Sequence, residues 1–341
     1  MSAGLKVLSP GLHTTVQDLG RIGYQDIGVP VSGALDGVSL RLANALVGNP
    51  PEMAALEILV SGPTLEIAAD AARVALVGPG ASLLIGGAVM AAGQSITLSR
   101  GAILQIAVGR QSACCYLAVE GGIAVPLVLG SASTYVRAGI GGLNGRLLRR
   151  DDIVPLAVER APERTEVRLP RPFDAARDQP IRVVLGPQQE YFTEEAVTML
   201  LSAEFRVSKS TDRMGMRLDG PLLRHRDGWD IVSDAIATGA IQVPGSGQPI
   251  VLLADHQTTG GYPKIATVIS ADVPVVGRRR PGDALGFAVV SIEEAEELCR
   301  DDHRRFAELL ATLEPVPEGD GIDLSSLYGG NLISGVVSGL K

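Results

Sequence analysis

Short apolar runs, each cut off by glycine or proline, constrain this chain more than any other feature. They recur at Arg73 to Val77, Ser95 to Leu98, Ile103 to Val108, Tyr116 to Val119, Ile181 to Leu185 and Ile250 to Leu253. Each is too short for a typical helix and rich in residues that suit a pleated sheet. With 41 glycines and 21 prolines to supply turns, the rhythm predicts a mostly β protein of closed or sandwiched sheets, not alternating βαβ units.

Helical patterns are few. The clearest starts at Ser291, where Glu294 completes a capping box and Ala295, Leu298, Phe306, Leu309, Leu310 and Leu313 follow at helical spacing. A second is expected from Asp36 as N-cap to Gly48. A third follows Thr193, with Glu194 and Glu195 in its first turn.

At 341 residues the chain exceeds the ~100–150 residues that one core usually organises, so two packed units are expected. A faint internal repeat agrees. Asp18-Leu-Gly-Arg21 is echoed by Asp212-Arg-Met-Gly215, Ser61-Gly-Pro-Thr-Leu65 by Asp219-Gly-Pro-Leu-Leu223, and Arg149-Arg-Asp-Asp-Ile153 by Pro281-Gly-Asp-Ala-Leu285. The polar, proline-bearing stretch 159–180 reads as the crossover. The expected division is 1–165, 166–314 with the C-terminal helix, and a tail over 315–341.

A formal net charge of −8 argues against nucleic acid, whose binders neutralise phosphates with a basic face. The run Arg278-Arg279-Arg280 reads as a solvated basic turn. Cys114, Cys115 and Cys299 are odd in number and suggest no disulfide framework, and no histidine stands at metal-ligand spacing. No stretch is long and apolar enough for a membrane span. The first twenty residues lack the pattern of a signal peptide, so the cytoplasm is the expected location.

The densest polar constellation ends an apolar strand. After Ile250-Val-Leu-Leu-Ala come Asp255, His256, Gln257, Thr258, Thr259, Gly260, Gly261, Tyr262, Pro263 and Lys264. Acid, base, amide and hydroxyl functions thus flank paired glycines that admit close backbone approach. Lys264 suggests carbonyl polarisation, or else the guarding of an edge strand. A second constellation offers Arg213 as a carboxylate clamp, with Asp18 and Arg21 as its counterparts in the first half. The competing account pairs Asp18 with Arg21 and Asp212 with Arg213 as structural ion pairs.

Taken together, Thr14 to Tyr24, Arg213 to Pro221, Gly239-Ala-Ile-Gln-Val-Pro244, and Gly247 through Lys264 closely resemble the allophanate-hydrolase-subunit-2 family, also called biotin-dependent carboxyltransferase subunit 2. The resemblance implies two tandem cyclophilin-like β-barrel domains and a site completed by a subunit-1 protein. Members include the C subunit of ATP-dependent 5-oxoprolinase, the carboxyltransferase part of urea carboxylase, and Kip-type antagonists that bind without catalysing. This chain has no biotin-carrier lysine flanked by methionines, so the 5-oxoprolinase component is the nearest likeness.

That likeness implies a small amide substrate, a B-like partner of the subunit-1 type, an A-like lactam-utilisation partner, and ATP used by the assembly but bound elsewhere. Biotin enters only under the carboxyltransferase alternative. On the same likeness Gln242, Gln257, Thr258 and the N–H groups of Gly260 and Gly261 hold the amide. Arg213 or Lys264 holds the charge and Asp255 moves the proton. His256, Thr259 and Tyr262 complete the candidate set.

Overall fold

The computed structural model describes residues 3–173 and 179–317; the expected tail lies outside the described residues from 318 onward. The first half is built from two antiparallel sheets. One orders its strands Ile153–Pro155, Gly4–Ser9, Thr64–Ile67, Ile103–Ala107, Ser82–Ile85 and Ala88–Ala91. The other runs His13–Gln17, Ala55–Leu59, Cys114–Val119, Ala71–Val77 and Ser95–Ser99. Leu5, Val7, Leu65 and Leu104 from the first sheet share one fully buried core with Leu56, Ile58, Val74 and Leu117 from the second.

The two-residue period of a strand separates the adjacent cysteines. Cys115 joins that core, while Cys114 and Tyr116 turn to the outer face of the second sheet, under helix α1 (Gly37–Leu46). Asp36 caps α1 as its sequence predicts, accepting from the N–H groups of Val38 and Ser39. Leu40, Leu42 and Leu46 are wholly buried there, each contributing roughly 2 kcal/mol.

In the second half, eight strands run in the order Ala284–Leu285, Phe205–Val207, Gly215–Asp219, Ile250–Leu252, Ala240–Gln242, Lys264–Val268, Ile181–Leu185 and Phe287–Val289. The first and last are one stretch of chain, broken at Gly286. Residues 284–285 pair with Phe205 and Arg206, and 287–289 pair in parallel with Ile181–Val183, so the sheet nearly closes into a barrel. Val183, Leu218, Ile241, Val251 and Ile265 fill it, and α2 (Glu194–Ser202), capped by Thr193, adds Ala196 and Leu200. A short α3 (Val273–Gly277) follows. The last helix, α4 (Ile292–Ala311), has the predicted capping box. Its Phe306, Leu309 and Leu310 pack beside α1 against the first half, and Glu314–Pro315 pairs with Val167–Arg168.

One part of the internal echo is carried by matching hydrogen bonds. Val7 N–H donates to Asp152 O (2.8 Å) and Val7 O accepts from Asp151 N–H (2.8 Å). Likewise Val207 N–H donates to Asp283 O (2.9 Å) and Val207 O accepts from Gly282 N–H (2.7 Å). Asp151 and Gly282 both take positive φ, 67° and 91°. Asp18 and Asp212 also match, each accepting from the N–H two residues on. The Gly-Pro echo does not correspond in place: Ser61 to Pro63 leads into a strand, whereas Gly220 to Leu223 follows one.

The arginine run is not the solvated turn that its sequence suggests. Arg278 and Arg279 are buried at the seam between halves. Arg278 pairs with Asp36 (3.3 Å) and lies over the Phe173 ring, 5.5 Å from its centre. Its carbonyl accepts from Ala113 N–H (2.8 Å), and Arg280 donates to Arg110 O (2.7 Å). A charge run solvates only where no opposite charge and ring await it, and here Asp36 of the other half supplies the charge and Phe173 the ring. Next to it, Gly277 lets the backbones touch: a Cβ there would stand 2.3 Å from Leu35 O. Gly277→Ala is therefore expected to lower unfolding free energy by about 1–3 kcal/mol, read from urea midpoints. Wild-type stability in that variant would refute the tight seam.

Candidate functional site

Arg213 lies at the centre of a buried charge network that joins the halves. Its Nε and Nη2 donate to both oxygens of Asp255 (2.8 and 3.1 Å), Nη2 also donates to Gly33 O (2.6 Å), and Nη1 meets Glu57. The other Glu57 oxygen accepts from Tyr116 Oη (2.6 Å) and Leu35 N–H (2.9 Å). Burial alone would favour the neutral form of Arg213, but Glu57 and Asp255 outweigh it and raise its pKa above the ordinary arginine value. The proposed Asp212 pairing does not form: Asp212 turns to the N–H groups of Met214 and Gly215. Arg213 is a carboxylate clamp, but the carboxylates are the chain's own.

Asp18 and Arg21 likewise do not pair. Asp18 Oδ1 accepts from Ser131 Oγ (2.7 Å) and Ser133 Oγ (2.5 Å), and Oδ2 from Ala132 N–H (2.6 Å), fixing the segment that begins at Ser131. Arg21 donates to Ser133 O, and its Nε and Nη1 are buried with no hydrogen-bond partner among the described residues. Burial lowers its pKa, against the opposing pull of Asp18 and Asp255.

His256 is buried with both ring nitrogens engaged, Nδ1 with Gln257 O (2.6 Å) and Nε2 with Thr238 Oγ1 (3.1 Å). Burial lowers its pKa, while the Gln257 carbonyl and Asp255 pull the other way. The unfolded chain then binds more protons than the folded one, so stability is fully present above about pH 6.5 and falls as pH drops below it. His13, also lowered chiefly by burial, acts in the same sense. Urea midpoints are expected to drop between pH 7.5 and 5.5, with a flatter profile in His256→Gln; an unchanged slope would contradict this.

Lys264 is buried in an interior strand, not an edge. Its Nζ donates to Asp234 Oδ2 (3.0 Å), which also accepts from Gln188 Nε2 (3.0 Å). Lys264, followed by Gln188, holds the Asp234 carboxyl below the usual range. Asp234 pairs with Gly260 and Ala235 with Thr259 in a two-stranded sheet, while Thr258 O accepts from Ile236 N–H (3.0 Å). Gly261 O accepts from Ile231 N–H (2.8 Å). The Tyr262 ring stands 6.1 Å from Trp229.

Of the candidates, Gln242 and Gln257 share an open hollow. Gln257 Nε2 donates to Gln242 Oε1 (3.5 Å), and both line a cavity of about 250 Å³ with Arg137, Asp212, Met214 and Arg217. Neither Asp255 nor Lys264 lines it. A larger hollow, about 470 Å³ beside Leu201, Arg279 and Phe287, contains none of the candidates. Among the described residues, no group of three or more His, Cys, Asp or Glu is placed to hold a metal ion, and no helix is long and apolar enough to cross a membrane.

Residues 27–289 match the family described as carboxyltransferase domain, subdomain A and B. The chain belongs to this family. Among its carboxyltransferase-domain relatives, the C subunit of Escherichia coli 5-oxoprolinase is 36% identical over 89% of this chain and 97% of its own length. The C subunit of Haemophilus influenzae 5-oxoprolinase is 35% identical over 87% and 94%. The fold is also that of the Kluyveromyces lactis urea carboxylase, with a TM-score of 0.82 and 30% identity over 93% of this chain but 30% of that one. This carboxyltransferase-domain chain is similar to components of enzymes, and the first of these similarities covers a relative nearly end to end.

Sequence reasoning passed over Glu57, Tyr116, Asp234 and Arg137. Glu57 had a signal: a carboxylate inside the apolar strand Ala55–Leu59 must find a partner when buried. Arg137 had none, being one exposed arginine among many.

Proposed function

We propose that this chain is the C-type subunit of an ATP-dependent 5-oxoprolinase, which opens a lactam to glutamate in the cytoplasm. It acts with a subunit-1-type, B-like partner and an A-like lactam-utilisation partner. The observation that carries the reading is its near end-to-end match to the C subunits of two bacterial 5-oxoprolinases, 97% and 94% of their lengths. The cavity chemistry suits it, since a carboxamide presents both a donor and an acceptor, the complement of a lactam's C=O and N–H. Gln242 and Gln257 hold the lactam. Asp255, held by both oxygens on Arg213, positions the loop that carries Gln257, and Lys264 fixes Asp234 and the strand at Gly260. Water adds to the lactam carbonyl carbon, the ring C–N bond breaks, and the nitrogen becomes the amine of glutamate.

ATP is a co-substrate of the assembly, and the glycine-rich turn of this chain does not fit it. Val77-Gly78-Pro79-Gly80-Ala81 is a turn between strands, with a Cβ at Gly78 only 2.5 Å from the Cys115 Cβ. It opens no helix that would cradle phosphate. The nucleotide step is assigned to the other subunits.

The family description and the fold shared with urea carboxylase favour a second reading, a carboxyltransferase component using a biotinylated carrier. The chain combined with both partners is expected to release glutamate from 5-oxoproline only when ATP is present. No glutamate, together with carboxylation of urea from a biotinylated carrier, would replace the first reading with the second. Tight partner binding with no turnover at all would leave the Kip-type antagonist.

A further inference from the structure

The cavity lined by Gln242 and Gln257 belongs to the second half, yet one lining residue, Arg137, comes from the first. Residues 135–140 form a small hairpin in which Tyr135 N–H donates to Ile140 O (2.9 Å) and Gly139 N–H to Val136 O (3.2 Å). Arg137 stands at its tip. The hairpin is fixed at its base, where Asp18 binds the backbone and hydroxyls of residues 131–133 and Thr134 Oγ1 donates to Val16 O (2.8 Å). Arg137 is thereby carried across the seam, where among the described residues its Nη1 meets only the Met214 sulfur, a weak acceptor.

Arg137 and Arg217 both line the cavity, and neither guanidinium has a carboxylate partner among the described residues. The one acidic residue there, Asp212, spends Oδ1 on Met214 and Gly215 N–H (2.8 and 3.2 Å). Two guanidiniums, one carboxylate and a pair of carboxamides make a lining suited to a ligand that is an amide at one end and an anion at the other. A guanidinium fork matches a carboxylate in two parallel hydrogen bonds.

We propose that Arg137, with Arg217 beside it, is the carboxylate anchor of this site and sets its specificity for a lactam that carries an acid group over an uncharged amide. The proposal deepens the 5-oxoprolinase reading and rests on it for the identity of the substrate. Arg213 and Lys264, the other candidates for holding the charge, are both committed to carboxylates of the chain. Arg137 touches substrate only at the carboxylate, away from the bond that breaks, so its contact is equal in the ground and transition states. It therefore lowers KM and leaves kcat unchanged.

The test uses the complete assembly with 5-oxoproline and, as the probe without an acid group, 2-pyrrolidinone. Arg137→Ala is expected to raise the KM for 5-oxoproline roughly 10- to 100-fold, as for a lost charge-assisted hydrogen bond, with kcat kept. Arg137→Lys recovers part of the loss, and binding of 2-pyrrolidinone is unaffected. Arg137 is exposed, so the variant should melt with the wild type. Equal affinity of the wild-type chain for the two lactams, or for neither, overturns the anchor, as does an unchanged KM in Arg137→Ala. An assembly that prefers 5-oxoproline in binding but never hydrolyses it keeps the anchor and sinks the 5-oxoprolinase reading instead.

Discussion

Arg213→Ala is expected to destabilise the chain by about 3–5 kcal/mol, the cost of leaving buried charges without their partner. Glu57 is fully buried, Asp255 is 5% exposed and Gly33 O loses a donor. Because these groups come from both halves, the loss falls on the seam. Urea denaturation of the variant should show a lower midpoint, and limited proteolysis should cut between the halves first. Lys264→Met supplies the contrast. Its partner Asp234 is 49% exposed, and water can replace the lysine there, so the loss should stay below roughly 1 kcal/mol. Equal effects of the two substitutions would mean that the Arg213 network does not hold the halves together.

The second large effect concerns the carboxamides. Gln242→Ala and Gln257→Ala remove the groups assigned to hold the lactam while sparing the seam network. Each is expected to lower kcat/KM for 5-oxoproline on the order of 10-fold, the worth of a neutral hydrogen bond at its upper end. The double variant should fall less than the product of the two, because the side chains bond each other and act as a unit. Unfolding midpoints near the wild-type value would separate this loss from a folding defect.

Much of the fold was legible because it is local. Strands such as Ile103–Ala107 and Ile181–Leu185 follow from apolar runs between turn residues, and Asp36, Thr193 and Ser291 announce their helices by cap chemistry alone. The echo of Arg149 to Ile153 in Pro281 to Leu285 was readable for the same reason, since a turn and the strand after it lie in a few consecutive residues. The site was less legible. Arg213 reaches Glu57, 156 positions away, and Asp255, 42 positions away, and no spacing rule links residues joined only by the packing of two halves. The cluster from Asp255 to Lys264 looked like one hollow in sequence. The turn after strand Ile250–Leu252 points Asp255 and His256 inward and Gln257 toward the cavity, while Lys264 opens the strand Lys264–Val268 and reaches Asp234. The arginine run was misread because a charged stretch is solvated unless another element covers it, which the sequence of the run does not contain.

Glutamate release from 5-oxoproline, followed with ATP present in assemblies carrying wild-type chain, Gln242→Ala/Gln257→Ala and Arg137→Ala, tests the account most directly. The wild type should turn the lactam over, the carboxamide pair should lose most of its kcat/KM, and Arg137→Ala should keep kcat while KM rises. An unchanged kcat/KM in all three assemblies would place the lactam somewhere other than the hollow between Gln242, Gln257 and Arg137.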